Sequence, residues 1–179
     1  MAKQIEATYG NALFELAVEE GRVDALYEEA KALGDIIRDN EELVKLLAHP
    51  HIAKESKVEV VKQTFDGRIS DELTGLLVMV VENNHARNIV GILEYFVKQV
   101  KKYKRIGVVD VTSAMELDAS QKAAVEKRIL DTTPYESLEM IYHQDKSIIG
   151  GMIIRIEDRV VDSSVKTKLE SMSKALSRA

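Results

Sequence analysis

The sequence predicts an all-α domain followed by a small α/β domain, and three observations carry that expectation. Apolar residues recur three and four positions apart from residue 4 to about 104. At Arg105 the pattern changes to a β-branched run, Gly107-Val108-Val109-Asp110-Val111-Thr112. Two prolines and nine glycines in 179 residues leave room for long helices.

The first helix spans about Gln4–Glu20 and stops at Gly21, a residue suited to a left-handed cap. A second covers about Arg22–Asp39, with Val23, Leu26, Tyr27, Ala30, Leu33 and Ile37 on one face. Asn40 caps a short third helix, whose Glu41 and Glu42 oppose the positive end of the dipole, and Pro50 marks its end. The fourth runs over about Ala53–Phe65 and finishes near Gly67, and Ser70 caps the fifth, Asp71–Asn83. The sixth, about Arg87–Tyr103, carries Ile89, Leu93, Phe96, Val97 and Val100 at helical spacing.

Beyond Arg105 a strand over 107–112 is followed by a helix over about 119–131, with Asp118 and Gln121 spaced for a capping box. Leu138, Met140 and Tyr142 alternate with polar neighbours as a half-buried strand. Ser147–Ile156 and Arg159–Val161 read as a hairpin turning at Glu157-Asp158. A last helix covers about 163–177 and is capped by Asp162 or Ser163. Residues 1–105 thus form a six-helix bundle and residues 106–179 a small α/β domain.

Composition fits a packed core under a charged surface, with 45% hydrophobic and 31% charged residues. Net charge is −5, spread over both halves, so neither half attracts nucleic acid or anionic lipid. Cysteine is absent, which excludes disulfides, thiolate metal sites and a cysteine nucleophile. The start, Met1-Ala2-Lys3-Gln4-Ile5-Glu6, has no apolar signal core, and the longest apolar run, Leu76–Val81, is too short to span a bilayer.

Chemistry-bearing patterns are sparse. His49-Pro50-His51 is split by a proline, and with His85 and His143 it supplies no ligand set at a metal spacing. Gly150-Gly151 leads into Met152-Ile153-Ile154, which continues a strand, whereas a phosphate cradle opens a helix. A bulge or a close backbone approach suits that pair better. Adjacent carboxylates such as Glu28-Glu29 point about 100° apart on a helix and make poor acid/base partners. The cluster Lys98, Lys101, Lys102, Lys104 and Arg105 closes a helix, where cations meet the negative dipole end. Cofactor, metal and catalytic residues are therefore expected to be absent.

The sequence does offer excess apolar surface. The first helix has one stripe of Ile5, Tyr9, Ala12, Leu13, Leu16 and Ala17 and a second of Ala7, Phe14 and Val18. In the fifth, Leu73, Leu76, Leu77, Val78, Met79, Val80 and Val81 occupy most of the circumference, while Gly75 leaves backbone open to close approach. Either the fifth helix is central to the bundle, or the two helices edge a groove for a partner's amphipathic helix.

Two stretches resemble a known family. Tyr9-Gly10-Asn11-Ala12-Leu13-Phe14-Glu15-Leu16-Ala17 is similar to the Y-x-x-A-L-F-x-x-A opening of the ATP synthase delta subunit family, whose mitochondrial members are the oligomycin-sensitivity-conferring proteins. Asp145-Lys146-Ser147-Ile148-Ile149-Gly150-Gly151-Met152-Ile153-Ile154-Arg155, with Val160-Val161-Asp162-Ser163-Ser164-Val165 and Leu169, resembles the family's more specific C-terminal signature. Leu76-Leu77 to Glu82-Asn83 resembles its apolar helix ending in Glu-Asn. Lys166 and Lys168 stand where many relatives carry arginine, and a lysine lacks the bidentate fork that clamps a carboxylate.

The resemblance implies a non-enzymatic adaptor of the bacterial enzyme's static peripheral stalk. Its helical domain would sit on the catalytic head and hold the N-terminal helix of an α subunit between the first and fifth helices, at Tyr9, Ala12, Leu13, Leu76, Met79 and Val80. Its C-terminal domain, marked by Gly150, Gly151 and Asp162, would bind the membrane-anchored b subunits through its strands and last helix. One copy would serve a hetero-oligomer at the cytoplasmic face of the membrane, with no membrane insertion, nucleic acid or cofactor. The alternatives are a generic helical adaptor for an unrelated amphipathic peptide and a small hydrolase or nucleotide-binding enzyme.

Overall fold

The computed structural model describes residues 2–176. The chain divides into two compact units, Met1–Lys101 and Lys102–Ala179. Helices lead up to the sheet: α1 (Ala2–Glu19), α2 (Val23–Asp39), α3 (Glu41–Leu47), α4 (Lys54–Phe65), α5 (Asp71–Glu82) and α6 (Ile89–Tyr103), with a 3-10 turn at Ala86–Asn88.

The core of the first unit follows from the periodicity. Leu26, Leu33, Leu73, Leu77, Ile92, Leu93 and Phe96 are each at most 1% exposed. α2 buries the face its spacing marks, and α5 buries Leu73, Leu76, Leu77, Val80 and Val81. Gly21 ends α1 at φ 67°, with its own N–H bonded to Val18 O and the Arg22 N–H bonded to Ala17 O, a doubly bonded left-handed cap.

Two expected caps take another form. Asn40 and Ser70 occupy the N-cap positions of α3 and α5, but neither side chain caps the helix. The Asn40 amide donates back to Ile36 O at 2.7 Å, closing α2 instead of opening α3. The Ser70 N–H donates to Glu29 at 2.9 Å, so this corner is tied across to α2.

The second unit contains β1 (Ile106–Ser113), α7 (Ala119–Thr132), β2 (Ser137–Gln144), β3 (Met152–Ile156), β4 (Arg159–Asp162) and α8 (Val165–Leu176). The strands order β2-β1-β3-β4. β1 and β2 run parallel through the α7 crossover, and the other neighbours are antiparallel. The capping box forms: the Gln121 N–H donates to Asp118 Oδ1 at 2.8 Å, and the Asp118 N–H donates to Gln121 Oε1 at 3.1 Å. Val109 and Val111 are fully buried with Ile129 of α7, and Leu138, Met140, Tyr142, Ile154 and Ile156 pack around them.

The strand expected from Ser147 starts later, at Met152. Asp145 accepts from both the N–H and the hydroxyl of Ser147, at 2.8 and 2.9 Å, and this local turn draws Lys146–Ile148 into a 3-10 turn. The α8 cap also moves, to Ser164, whose hydroxyl accepts from the Thr167 N–H at 3.2 Å. Position 177, where the sequence puts the helix end, lies outside the described residues. α8 buries none of its residues. Its apolar stripe is exposed throughout: Val165 37%, Leu169 52%, Met172 62% and Leu176 78%.

Candidate functional site

α1 and α5 lie side by side in opposite directions. The Tyr9 ring meets His85, just past α5, edge-on at 6.1 Å between centroids. At the other end Arg22, just past α1, pairs with Glu72 in the first turn of α5. A backbone hydrogen bond at Glu72 holds its carboxyl below the ordinary value, and the Glu20 carboxyl hydrogen-bonded to it is pushed up. A charged pair thus marks one end of the α1–α5 contact. The other opens into a cavity of about 390 Å³ lined by Gln4, Ile5, Thr8, Tyr9 and His85.

The structure separates the six expected contact residues. Leu13, Leu76 and Val80 are interior, at 3%, 8% and 1% exposure, where they hold the bundle together. Ala12 is exposed, Tyr9 is half-buried and Met79 projects outward at 53%. A Cβ at Gly75 would have no neighbour within 4 Å, so this turn of α5 presents bare backbone. Ala12, Gly75 and Met79 are thus exposed and Tyr9 half-buried, while Ile5, Thr8 and His85 line the cavity beside Tyr9. The Tyr9–His85 contact carries no signal in the sequence, because the two residues are remote in the chain.

In the second unit the marker residues form a structural lock. Gly151 has φ 78°, and a Cβ there would stand 2.4 Å from Ser163 O. The Val165 N–H donates to Gly150 O at 2.9 Å, and Ser163 donates its N–H and hydroxyl to Met152 O at 3.0 and 2.8 Å. Asp162 accepts from the Ser164 N–H and the Thr167 hydroxyl, both at 2.8 Å. The glycine pair is thus a close backbone approach.

These turns make a pH prediction. The Ser164 N–H and hydroxyl, then Thr167, hold the Asp162 carboxyl below its ordinary 3.8; Ser147 does the same for Asp145. Each folded value lies below the unfolded one, so the stabilisation is complete above the unfolded value and is lost as pH falls through the folded one. The second unit is expected to melt at a constant temperature above about pH 5 and progressively lower below about pH 4. Asp162→Asn should flatten that acid limb in a pH series of thermal melts. An unchanged limb would mean that Asp162 is not linked to folding.

Among the described residues no group of three or more His, Asp or Glu side chains could hold a metal ion. Nor is any helix long and apolar enough to cross a membrane.

Comparison with known proteins agrees along the whole chain. The family model for the ATP synthase delta (OSCP) subunit matches residues 5–176. The ATP synthase subunit delta of Lachnoclostridium phytofermentans is 48% identical over 176 residues, covering 98% of this chain and 97% of its own. That of Brevibacillus brevis is 31% identical over 173 residues, covering 97% and 98%. A chain of the Toxoplasma gondii mitochondrial ATP synthase hexamer superposes with a TM-score of 0.73 over 96% of both chains at 18% identity, which shows a shared fold. The chain belongs to the ATP synthase delta (OSCP) subunit family.

Proposed function

We propose that this chain is a peripheral-stalk subunit of F-type ATP synthase, a structural component that keeps the catalytic head from turning with the rotor. The observation that carries this reading is family membership over residues 5–176, spanning both compact units. The first unit, read as a six-helix bundle, receives the amphipathic N-terminal helix of an α subunit along the α1–α5 furrow. The second binds the b subunits that reach the membrane, so the chain itself stays peripheral to it.

The furrow suits that task physically. Apolar and small surface at Ala12, Gly75 and Met79 allows a helix to approach closely, and the Arg22–Glu72 pair bounds it at one end. Torque is resisted by a long-lived grip, and roughly 1,200–2,000 Å² of interface with an apolar centre is the usual scale for one.

The test is a calorimetric titration of the full chain with a peptide matching the N-terminus of the host's α subunit, read alongside amide chemical shifts. Saturable binding is expected, with the largest shifts at Ala12, Gly75 and Met79. No heat and no shifts would sink the head-binding role.

A further inference from the structure

We infer that the Met79 thioether is a redox-sensitive modification site: peroxide converts it to the sulfoxide on the unassembled chain and so weakens the grip on the visiting helix. The inference rests on the reading that Met79 meets the α-subunit helix, and it names a chemistry that regulates that contact.

The methionines of the chain divide by exposure. Met140 and Met152 lie half-buried in the second unit. Met79, Met115 and Met172 are 53%, 75% and 62% exposed. A sulfur lone pair must reach the peroxide oxygen, so the exposed three react first. Among them only Met79 belongs to the first unit.

Its place on α5 leaves the sulfur open. A helical side chain leans toward the N-terminal end of its helix, so Met79 lies over the turn that holds Gly75. A Cβ at Gly75 would have no neighbour within 4 Å, so nothing of that residue screens the thioether. The backbone beneath is fixed: the Met79 carbonyl accepts from the Asn83 N–H at 3.2 Å and from its side-chain amide at 2.9 Å. Leu76 and Val80 beside it are interior, at 8% and 1% exposure. Oxidation at 79 therefore changes the surface of α5 and leaves the core as it is.

The step balances with peroxide as the sole co-reactant. The sulfur takes one oxygen from hydrogen peroxide, the O–O bond breaks and water leaves. The thioether loses two electrons and the peroxide gains them. A flexible apolar side chain becomes a polar one. In solution the sulfoxide oxygen is hydrated, and the fold tolerates it. Against an apolar stripe it must shed that water without gaining a partner. A seated helix covers the sulfur in turn, so the chain is sensitive before assembly and protected after it.

In the test the full chain is treated with hydrogen peroxide, the peroxide is removed, and peptide mass spectrometry follows each methionine. Met79, Met115 and Met172 should gain oxygen faster than Met140 and Met152. Calorimetric titration with the α-subunit N-terminal peptide should then show affinity lower by about tenfold or more, with melting scarcely changed. Methionine sulfoxide reductases A and B should restore it. Whatever its starting affinity, Met79→Leu should lose less than about twofold on the same treatment, having no sulfur at 79. A chain carrying Met115→Leu with Met172→Leu should lose as much as the wild type. Saturating peptide added before the peroxide should slow oxidation at Met79 and not at Met115. Undiminished binding by chain fully oxidised at 79, or an equal loss in Met79→Leu, overturns the redox site while the α contact stands. An untreated chain that ignores the peptide overturns the head-binding reading, and the redox site with it.

Discussion

Gly151→Ala is expected to destabilise the second unit by about 3 kcal/mol, the largest effect of any single methyl added to this chain. Two costs combine. At φ 78° a side chain is strained wherever it sits, and the new Cβ would lie 2.4 Å from Ser163 O and 3.1 Å from Ser164 Cα. Both are backbone atoms and cannot rotate away. Relief would require parting β3 from the 163–164 segment, which breaks the bonds from Ser163 to Met152 O and from Val165 to Gly150 O. The neighbour is the control: a Cβ on Gly150 meets the Val165 methyl at 3.2 Å, a side chain that can turn. Gly150→Ala should cost less than about 1 kcal/mol. Denaturant unfolding with amide exchange over residues 145–169 measures both. Equal losses at 150 and 151 would refute the backbone lock.

The second large effect concerns binding. Met79→Glu is expected to weaken the α-subunit peptide by about 100-fold, by placing a carboxylate against its apolar stripe. Met79 is 53% exposed, so melting should scarcely change. Gly75→Leu separates stability from grip still more sharply. Its Cβ meets nothing within 4 Å, so the fold accepts the side chain, and replacing a mid-helix glycine should stabilise the first unit by roughly 0.5–1 kcal/mol. The same side chain fills the notch that lets a visiting helix approach. A stabler protein that binds the peptide worse is the expected outcome. Unimpaired binding by both variants would place the α contact elsewhere.

What was legible in the sequence was mostly local. The Gly21 cap, the Asp118–Gln121 box and the helical stripe of α2 each depend on residues within a single helix and its ends, and each appears in the structure. Asn40 escaped because a cap competes with other partners, here Ile36 O for its amide; the Ser70 hydroxyl simply makes no capping bond, although its N–H is tied to Glu29. In α5 the difficulty was lack of contrast. A helix apolar nearly all round gives no sign of which side faces out, so Leu76, Val80 and Met79 looked equivalent although only Met79 reaches solvent. The cavity of about 550 Å³ lined by α7, β3 and β4 was invisible for another reason. It exists because β3 inserts beside β1 while α7 covers the β2 side, and strand order is not written in any one segment.

α8 carries a consequence for the cell's housekeeping. Its four apolar side chains grow barer toward the C-terminal end, from 37% at Val165 to 78% at Leu176. A copy made in surplus therefore displays a greasy handle to every other surplus copy. Matched production of this chain and whatever shields that handle would keep such encounters rare.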